Sequence, residues 1–561
     1  MFCSLSSMKK VWSVLFLTCG ALLLGGALLV PAHWRAVDAA AIERAGKGGP
    51  GASTPTLVEE GLTFLSVEKL GPAWMLLRTA QSEGVARADL LAAAVTRFTN
   101  ENPTQMALGG EEPVLSKIEL ANGHLAEPPP IVALLARRVA REKALQMLQQ
   151  SRRPAVLQIL KNRNLTQTVH FPAATSSSGQ ALEAAIITAG LLFQGDYFTP
   201  SFREALEWLA VSANRGENSG ALELVYLDLI SVGKRLDWVS MTEFVKHVDS
   251  IATLRDLAEA VRSHEDAVPS IFAAVALSGN GKGVAKYLRT FSETGMNDVN
   301  FALRHGRGAV ELLIKQQQQV YFAGQVRKHV VQYNPFGAFF FGLIPTAISS
   351  HVGALFLKYA LLLFAALFIA RTIGFIVPPM GHRFGIRFGA DLVMASAIAF
   401  IVALFVEPFV GLPAQITELP FRIQLPGMGA ESASNLQNIN QPFMKQLSLI
   451  SLSVFFAIQA LIYVWCLAKL AQIRREPGSA RTKLRLLENE DHLFDAGLYV
   501  GFAGTVISLI LVALNILGKG STMMAYSSTS FGIIFVSVLK IFHIRPFRRK
   551  LILESEEQPQ P

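Results

Sequence analysis

Two threonines are the groups in this chain most able to do chemistry, because each lies inside an apolar helix beside small residues. Thr505 follows Gly501 and Gly504, and Thr529 comes three residues before Gly532. A hydroxyl inside lipid needs a hydrogen-bond partner, since no water is present there. These hydroxyls either join helices where glycines let the backbones approach, or they line a polar path across the membrane. Both interpretations predict that the two threonines face one another or a neighbouring subunit.

A second pair that could do chemistry is Lys358 and Glu407. Each lies about five residues from one end of an apolar stretch predicted to cross the membrane, 353–377 for the lysine and 390–412 for the glutamate. Consecutive antiparallel helices place the two residues at similar depth, and charges inside lipid are costly unless they are paired. The spacing therefore predicts an intramembrane ion pair. The alternative is that each side chain extends independently to its interface.

No residue pattern predicts catalysis or a bound metal or cofactor. The run Gly-Asn-Gly-Lys-Gly at 279–283 lacks the four-residue spacer of a phosphate loop and the Ser or Thr after Lys, so it predicts a turn between helices. The eleven histidines form no His-Glu-x-x-His pattern, and no Gly-x-Ser-x-Gly sequence occurs. We therefore expect a protein that is not an enzyme, with no catalytic, metal-binding or cofactor-binding residues.

The composition indicates a membrane protein. Hydrophobic residues make up 51% of the chain and charged residues 17%, whereas about a quarter of a soluble protein is charged. The net charge is +9, but the basic residues cluster beside apolar stretches. This pattern is typical of membrane orientation, so we expect contact with the lipid bilayer and not with nucleic acid. None of the three cysteines lies between residues 20 and 465, which excludes a disulfide there.

Six apolar stretches are long enough to cross a bilayer, which needs about 20 residues of helix. They are 11–31, 353–377, 390–412, 446–471, 496–517 and 522–544. The first follows two lysines and resembles a signal sequence, but its apolar run exceeds the usual length of about 7–15 residues. We therefore predict that residues 1–31 form an uncleaved signal-anchor helix.

The distribution of Lys and Arg in short loops predicts the orientation. If the N-terminus is inside, thirteen basic residues flank the spans on the inside and three lie outside. The inside set is Lys9, Lys10, Arg383, Arg387, Arg474, Arg475, Arg481, Lys483, Arg485, Arg545, Arg548, Arg549 and Lys550, and the outside set is Arg422, Lys445 and Lys519. This bias predicts a multi-pass protein of the bacterial inner (plasma) membrane, with both termini cytoplasmic and residues 32–335 extracytoplasmic.

The stretch 336–350 is apolar but short, and Pro345 lies within it. Spanning by this stretch would break the charge pattern, so we predict that 336–352 is an interfacial or re-entrant helix. The remaining membrane part then divides into a helical hairpin, an outer loop, a three-helix domain and a polar tail. Their predicted ranges are 353–412, 413–445, 446–550 and 551–561.

The extracytoplasmic part is predicted to be helical in two sections. Residues 32–180 contain helical patterns separated by Ala-, Gly- and Pro-rich linkers, the first of them at 32–56. Residues 181–335 are predicted to form helical hairpins. The segment 185–216 resembles one SEL-type tetratricopeptide-like hairpin, in which small residues let two helices pack closely and Trp208 fills the space between them. Such a domain implies binding of another protein.

The last three spans resemble the MotA/TolQ/ExbB proton-channel family. The Gly-Thr-Val run at Gly504–Val506 matches the family's second helix, and Ala525, Thr529 and Gly532 match an Ala-x-x-x-Thr-x-x-Gly pattern of its third helix. The resemblance implies that Thr505 and Thr529 line a polar path between the subunits of a ring. Met524 stands where many members have Glu, and helix packing alone also explains small residues and hydroxyls in lipid.

These observations predict an all-α, multi-span helical membrane protein with a large α-helical extracytoplasmic domain. The first functional hypothesis is a membrane scaffold whose domain at 181–335 binds a protein partner. The second is a proton-conducting or stator-type subunit of an ion-driven membrane complex. A homo-oligomer agrees with either hypothesis, and the stator hypothesis requires one.

Overall fold

The computed structural model describes residues 2–48, 54–103, 105–112, 115, 127–164, 177–376, 392, 395–396, 398–399, 402–403, 406–408, 442–513 and 522–556. The structure is mostly helical with almost no strand, which confirms the all-α prediction. The chain divides into two units. The central unit is Ala36–Ser350, and the terminal unit combines Met1–Arg35 with His351–Pro561.

Short helices around one hydrophobic core build the central unit. Its largest fully buried side chains include Trp238, Tyr226 and Tyr287. Two strands, Ala36–Asp38 and Gln319–Tyr321, pair in parallel. The α-helices are Ala39–Gly46, Leu57–Ser66, Leu70–Ser82, Ala88–Glu101, Ile131–Ala136, Arg138–Gln149, Pro154–Lys161, Ser177–Gln194, Pro200–Asn214, Ser219–Gly233, Trp238–Val245, Ile251–Ser263, Val268–Ser278, Gly281–Thr290, Gly295–His305, Arg307–Gln316, Gln325–Val331 and Phe336–Ser349, and the 3₁₀ turns are Gln105–Ala107, Asn162–Asn164 and Glu265–Ala267.

The predicted turn at 279–283 is confirmed. Gly279 ends the helix Val268–Ser278 with φ +62°, a left-handed conformation that favours glycine. The Asn280 side chain then caps the next helix by accepting a hydrogen bond of 2.8 Å from the Gly283 N–H. Gly279 therefore ends one helix, and Asn280 begins the next.

The first section of the central unit differs from the predicted linker at 32–56. Residues Ala36–Gly46 form a strand and a helix, and Ala36 and Ile42 are fully buried. Asp38 caps that helix at the Ala40 N–H and also binds the Arg327 guanidinium. The predicted boundary between 180 and 181 is not a unit boundary, because a single core continues from Val37 to Ile344.

The two helices of the segment 185–216 form, as Ser177–Gln194 and Pro200–Asn214. Both pack against Pro154–Lys161 and Ser219–Gly233, and the first also packs against Ile131–Ala136 and Arg138–Gln149, while the contact between the two helices is smaller than any of these. Trp208 does not fill a space between them, since its side chain is 60% exposed. The buried residues of the second helix include Phe202, Leu206, Leu209 and Ala213, whose spacing of three and four defines a stripe that excludes position 208.

The terminal unit contains the longest of the described helices. Its helices are Phe2–Leu29, His351–Ile376, Pro442–Arg475, Ala480–Asn489, Asp491–Phe494, Ala496–Ala513, Thr522–Val538 and Arg545–Glu556, with a π-helical turn at Leu539–Ile544 before the last of them. Among the described residues, three helical stretches are long and apolar enough to cross a membrane: Val11–Leu29, His351–Thr372 and Ser528–Glu556. They overlap the predicted spans 11–31, 353–377 and 522–544.

The other three predicted spans have different outcomes. The stretch 446–471 lies within the helix Pro442–Arg475, and the helix Ala496–Ala513 covers most of 496–517. Most of 390–412 lies outside the described residues. So does the predicted outer loop 413–445, except for residues 442–445. The same holds for residues 557–561 of the predicted tail 551–561.

The first helix of the terminal unit packs antiparallel to His351–Ile376. The centres of the Phe16 and Phe368 rings lie 5.4 Å apart. Near the other end of the first helix, Ala27 and Leu362 belong to one small hydrophobic cluster. A Cβ at Gly20 would lie 3.3 Å from the Ala365 carbonyl oxygen, so the helices approach closely there. Small residues at the contact are typical of helix pairs in membranes.

Candidate functional site

The side chains of Lys358, Glu407 and His33 form one buried polar cluster in the terminal unit. Lys358 Nζ lies 2.7 Å from Glu407 Oε1, and the two side chains are each 2% exposed. The ammonium also donates to the Ala32 carbonyl at 2.8 Å and contacts His33 Nδ1 at 3.0 Å. The ammonium therefore has two hydrogen-bond acceptors and, in Glu407, a counter-charge at ion-pair distance.

Glu407 is held from a second side by the chain that follows the first helix. Its Oε2 accepts a hydrogen bond of 2.8 Å from the Trp34 backbone N–H and lies 3.7 Å from His33 Nδ1. The arrangement satisfies two opposite charges by mutual contact, as burial of charge requires.

The predicted residue pair is thus brought together, and two members of the cluster were missed. His33 and Trp34 follow shortly after the first helix. They therefore lie at the same end of the antiparallel pair of the first helix and His351–Ile376 as Lys358 does. The first span ends at the same level as Lys358 and Glu407, which is the signal that could have identified His33. The residue lies just beyond the predicted span 11–31 and is not a charged residue inside it.

The two threonines face one another across the helices Ala496–Ala513 and Thr522–Val538. Their hydroxyl oxygens lie 2.5 Å apart, and both hydroxyls also reach the Gly501 carbonyl, Thr505 at 3.1 Å and Thr529 at 3.3 Å. The Thr505 side chain is buried and Thr529 is half-buried. One carbonyl and two hydroxyls therefore satisfy each other between the helices.

The predicted glycine positions let these backbones approach. A Cβ at Gly501 would lie 2.8 Å from the Ser528 carbonyl oxygen, and a Cβ at Gly532 would lie 2.6 Å from the Gly497 carbonyl oxygen. A Cβ at Gly504 would meet the Ser528 hydroxyl at 2.5 Å. Each of these three glycines therefore occupies a position where the neighbouring helix leaves no room for a side chain.

A third helix adds a buried amide that sequence reasoning missed. Gln459, on Pro442–Arg475, is 1% exposed, and its Nε2 donates to the Gly497 carbonyl at 2.9 Å. The side chain also borders a small cavity lined by Tyr463 and Cys466, among others. Glutamine in the middle of an apolar stretch is the feature that could have identified it, since polar residues in such helices usually face other helices.

Substitutions at Thr505 should show whether close packing or the hydroxyl group contributes more to the free energy of unfolding. Thr505→Leu adds volume where the helices already touch, so we expect a loss of about 1–3 kcal/mol in the free energy of unfolding. Thr505→Ser and Thr505→Ala should lose about 1 kcal/mol or less, because intramembrane hydrogen bonds contribute that much. Unfolding by a denaturing detergent measures the difference.

The matched control is Ile533→Leu, a change on a half-exposed face of the facing helix. Its stability should equal that of the parent protein. Equal stability of Thr505→Leu and the control would contradict the packing found at this position.

Two buried carboxylates of the central unit, those of Asp237 and Asp298, stabilise its secondary structure. Burial raises the pKa of Asp237 to about 6, although hydrogen bonds of 2.9 and 2.6 Å from the Ser240 N–H and hydroxyl oppose the shift. Added Cβ atoms at Gly71 and Gly109 would lie 2.2 and 2.1 Å from this carboxylate, so it is tightly enclosed. Asp298 accepts from the Tyr287 hydroxyl and the Val320 N–H, and burial raises its pKa. Each carboxylate thus fixes a helix start or a strand.

Two further findings bear on the chemistry that the chain can perform. Within the part of the chain that the structure describes, no group of three or more His, Cys, Asp or Glu side chains is placed to hold a metal ion. Comparison with protein families, with curated proteins and with solved structures finds no match to this chain.

Proposed function

We propose that the protein is a membrane-anchored, non-enzymatic scaffold whose central unit binds a protein partner outside the cytoplasm. The observation that carries the proposal is the buried polar cluster of Lys358, Glu407 and His33. It lies where the chain leaves the terminal unit for the central unit at Arg35 and close to its return at His351. Both ends of a 315-residue segment are therefore tied to one antiparallel helix pair.

Such an attachment suits a structural role. The cluster joins the chain after the first helix to the helix His351–Ile376, so it holds together the helices from which the chain enters and leaves the central unit. The exposed side chain of Trp208 supports the proposal that the segment 181–335 binds the protein partner. Its exposed indole is of the type that dominates binding energy at protein interfaces.

The proposal places the protein in a bacterial inner membrane with both termini in the cytoplasm. Reporter fusions after Arg387, Arg485 and Lys550 should be active in the cytoplasm, and fusions at Gly216 and Gly429 should be active outside it. The reason is the thirteen-to-three bias of basic residues towards the inner side. An extracytoplasmic reading after Arg485 would contradict this topology.

A stator-type, proton-conducting subunit is the second candidate function. It is favoured by the contact between Thr505 and Thr529, together with the buried amide of Gln459 on a third helix. These polar groups lie between three apolar helices, Pro442–Arg475, Ala496–Ala513 and Thr522–Val538. The scaffold proposal is preferred because the hydroxyls satisfy each other and the Gly501 carbonyl, as packing requires.

Two measurements on the full-length protein distinguish these functions. In liposomes with an imposed membrane potential, the scaffold should pass no more protons than empty liposomes, whereas a stator should show a flux that Thr505→Ala abolishes while assembly is retained. In cells, a photo-crosslinking residue at position 208 should give one adduct of defined mass. The matched position 139 is equally exposed in the central unit but outside 181–335, and should give none.

Proton flux that depends on Thr505 would overturn the scaffold proposal in favour of the stator. Absence of any adduct from position 208 and from other exposed positions of 181–335 would remove the partner-binding part of the proposal.

A further inference from the structure

We infer that the segment Phe322–Ser349 is a membrane-binding surface of the central unit, with its exposed aromatic side chains inserted into the surface of the bilayer that holds the terminal unit. The inference rests on the proposed membrane anchoring and adds a site and its ligand, a phospholipid surface. We call this segment the aromatic segment.

Exposed apolar side chains concentrate in this part of the central unit. Among its described residues, large hydrophobic side chains are exposed at Leu62, Val67, Leu90, Val139, Leu157 and Trp208, and again at Phe322, Val326, Tyr333, Phe336, Phe339 and Phe341. The first six are scattered over most of the unit. The second six fall within twenty consecutive residues, and four of them are phenylalanines. Single exposed apolar residues need no explanation, but a concentrated group indicates an interaction site.

One face of the aromatic segment is firmly attached to the central unit. Gly337, Phe340, Ile344 and Ala347 of the helix Phe336–Ser349 are buried at spacings of three and four residues. The Arg327 guanidinium lies 5.0 Å from the centre of the Phe340 ring and binds Asp38. The helix is thus held along one face, while Phe336, Phe339 and Phe341 stay exposed.

The charge of the segment fits a lipid surface. No Asp or Glu occurs from residue 312 to residue 390, and Lys328 and His329 are exposed beside the aromatic residues. Aromatic side chains with flanking basic residues are typical of helices that lie in the membrane interface, where anionic headgroups attract the cations. Acidic side chains, which headgroups would repel, are missing from this part of the sequence.

Chain continuity makes the bilayer the favoured occupant over another protein. The helix Phe336–Ser349 is separated by one residue from His351–Thr372, which is long and apolar enough to span. If that helix spans, residue 349 lies within a few ångströms of the interface, because consecutive Cα atoms are about 3.8 Å apart. Engagement of Phe340 and Ile344 with the central unit also favours an interfacial helix over a re-entrant one.

The test places an environment-sensitive fluorophore on single cysteines of the full-length protein in liposomes. Cys3 and Cys19 are replaced by Ala, and the buried Cys466 is kept, so the parent protein should not label. Probes replace Phe341, Val139 and Phe364; the last lies on an exposed face of the helix His351–Ile376. Lipids with a nitroxide near the headgroup end or near the methyl end of the acyl chain quench shallow and deep probes in the membrane, respectively, and aqueous iodide quenches probes in water.

We expect the probe at 341 to lose most of its intensity to the nitroxide near the headgroup end and little to iodide. The probe at 139 should show the reverse. Adding Phe339→Asp, a change at an exposed position, should move the probe at 341 towards the iodide-quenched behaviour without altering the helical content.

The outcomes that oppose the inference are distinct. Quenching at 364 but not at 341 by the nitroxide lipids would overturn it while leaving membrane anchoring intact. Protection of 341 from both quenchers would mean that a second copy or another protein covers the segment, which also overturns it. Failure of nitroxide quenching at 364 would overturn membrane insertion itself, and with it the inference.

Discussion

Replacing Lys358 by leucine is expected to destabilise the terminal unit more than any other single change on its helices. The substitution leaves the Glu407 carboxylate buried without its cation, and loss of one partner from a buried pair typically costs about 3–5 kcal/mol. Unfolding of the protein in mixed micelles by a denaturing detergent measures the loss. Phe356→Leu is the matched control on the same helix, because its side chain is 77% exposed and contributes little to packing.

The double substitution Lys358→Leu, Glu407→Leu decides whether the two groups act as a pair. Removing both charges also removes the buried unpaired carboxylate, so the double variant should recover part of the stability that the single variant loses. The Trp34 N–H would then lose its acceptor, which keeps the recovery incomplete. Strictly additive losses would show that each side chain reaches its interface alone.

Pairing inside the terminal unit could be predicted because few geometries are available there. A charge in an apolar helix must meet another polar group at its own depth, and antiparallel connection of consecutive spans fixes which group that is. The same restriction relates Thr505 to Thr529, because small residues mark the close face of each helix. Gln459 lay outside the predicted set because its partner is a backbone carbonyl, that of Gly497, which leaves no trace in side-chain composition.

The central unit was less predictable, since its contacts join distant parts of the chain. The segment Ala36–Gly46 has the Ala-rich composition of a linker, but it is ordered by pairing with Gln319–Tyr321 and by the Asp38–Arg327 contact. Neither partner can be recognised from local sequence. Trp208 is a different case, because the apolar spacing of its own helix is sufficient to place it off the buried stripe.

Two tryptophans of the central unit should therefore respond oppositely to truncation. Trp238 is fully buried, follows the Asp237 cap, and contacts the Tyr197 ring edge-on at 6.0 Å, whereas Trp208 is 60% exposed. Trp238→Ala leaves a large cavity and should cost about 3–5 kcal/mol. Trp208→Ala removes an exposed side chain and should change stability by no more than about 0.5 kcal/mol.

Urea unfolding followed by circular dichroism measures both changes, on residues 36–350 expressed alone and on the full-length protein in nanodiscs. The range 36–350 is required because one core runs through it, so a fragment beginning at 181 would expose the faces that pack on Ile131–Ala136 and Leu70–Ser82. Trp238→Phe should lose far less than Trp238→Ala, since the indole N–H has no hydrogen-bond partner among the described residues and the ring volume is largely kept. Equal losses for the two alanine variants would contradict the burial that separates the tryptophans. A large loss for Trp208→Ala alone would restore the hairpin packing first expected for its helix.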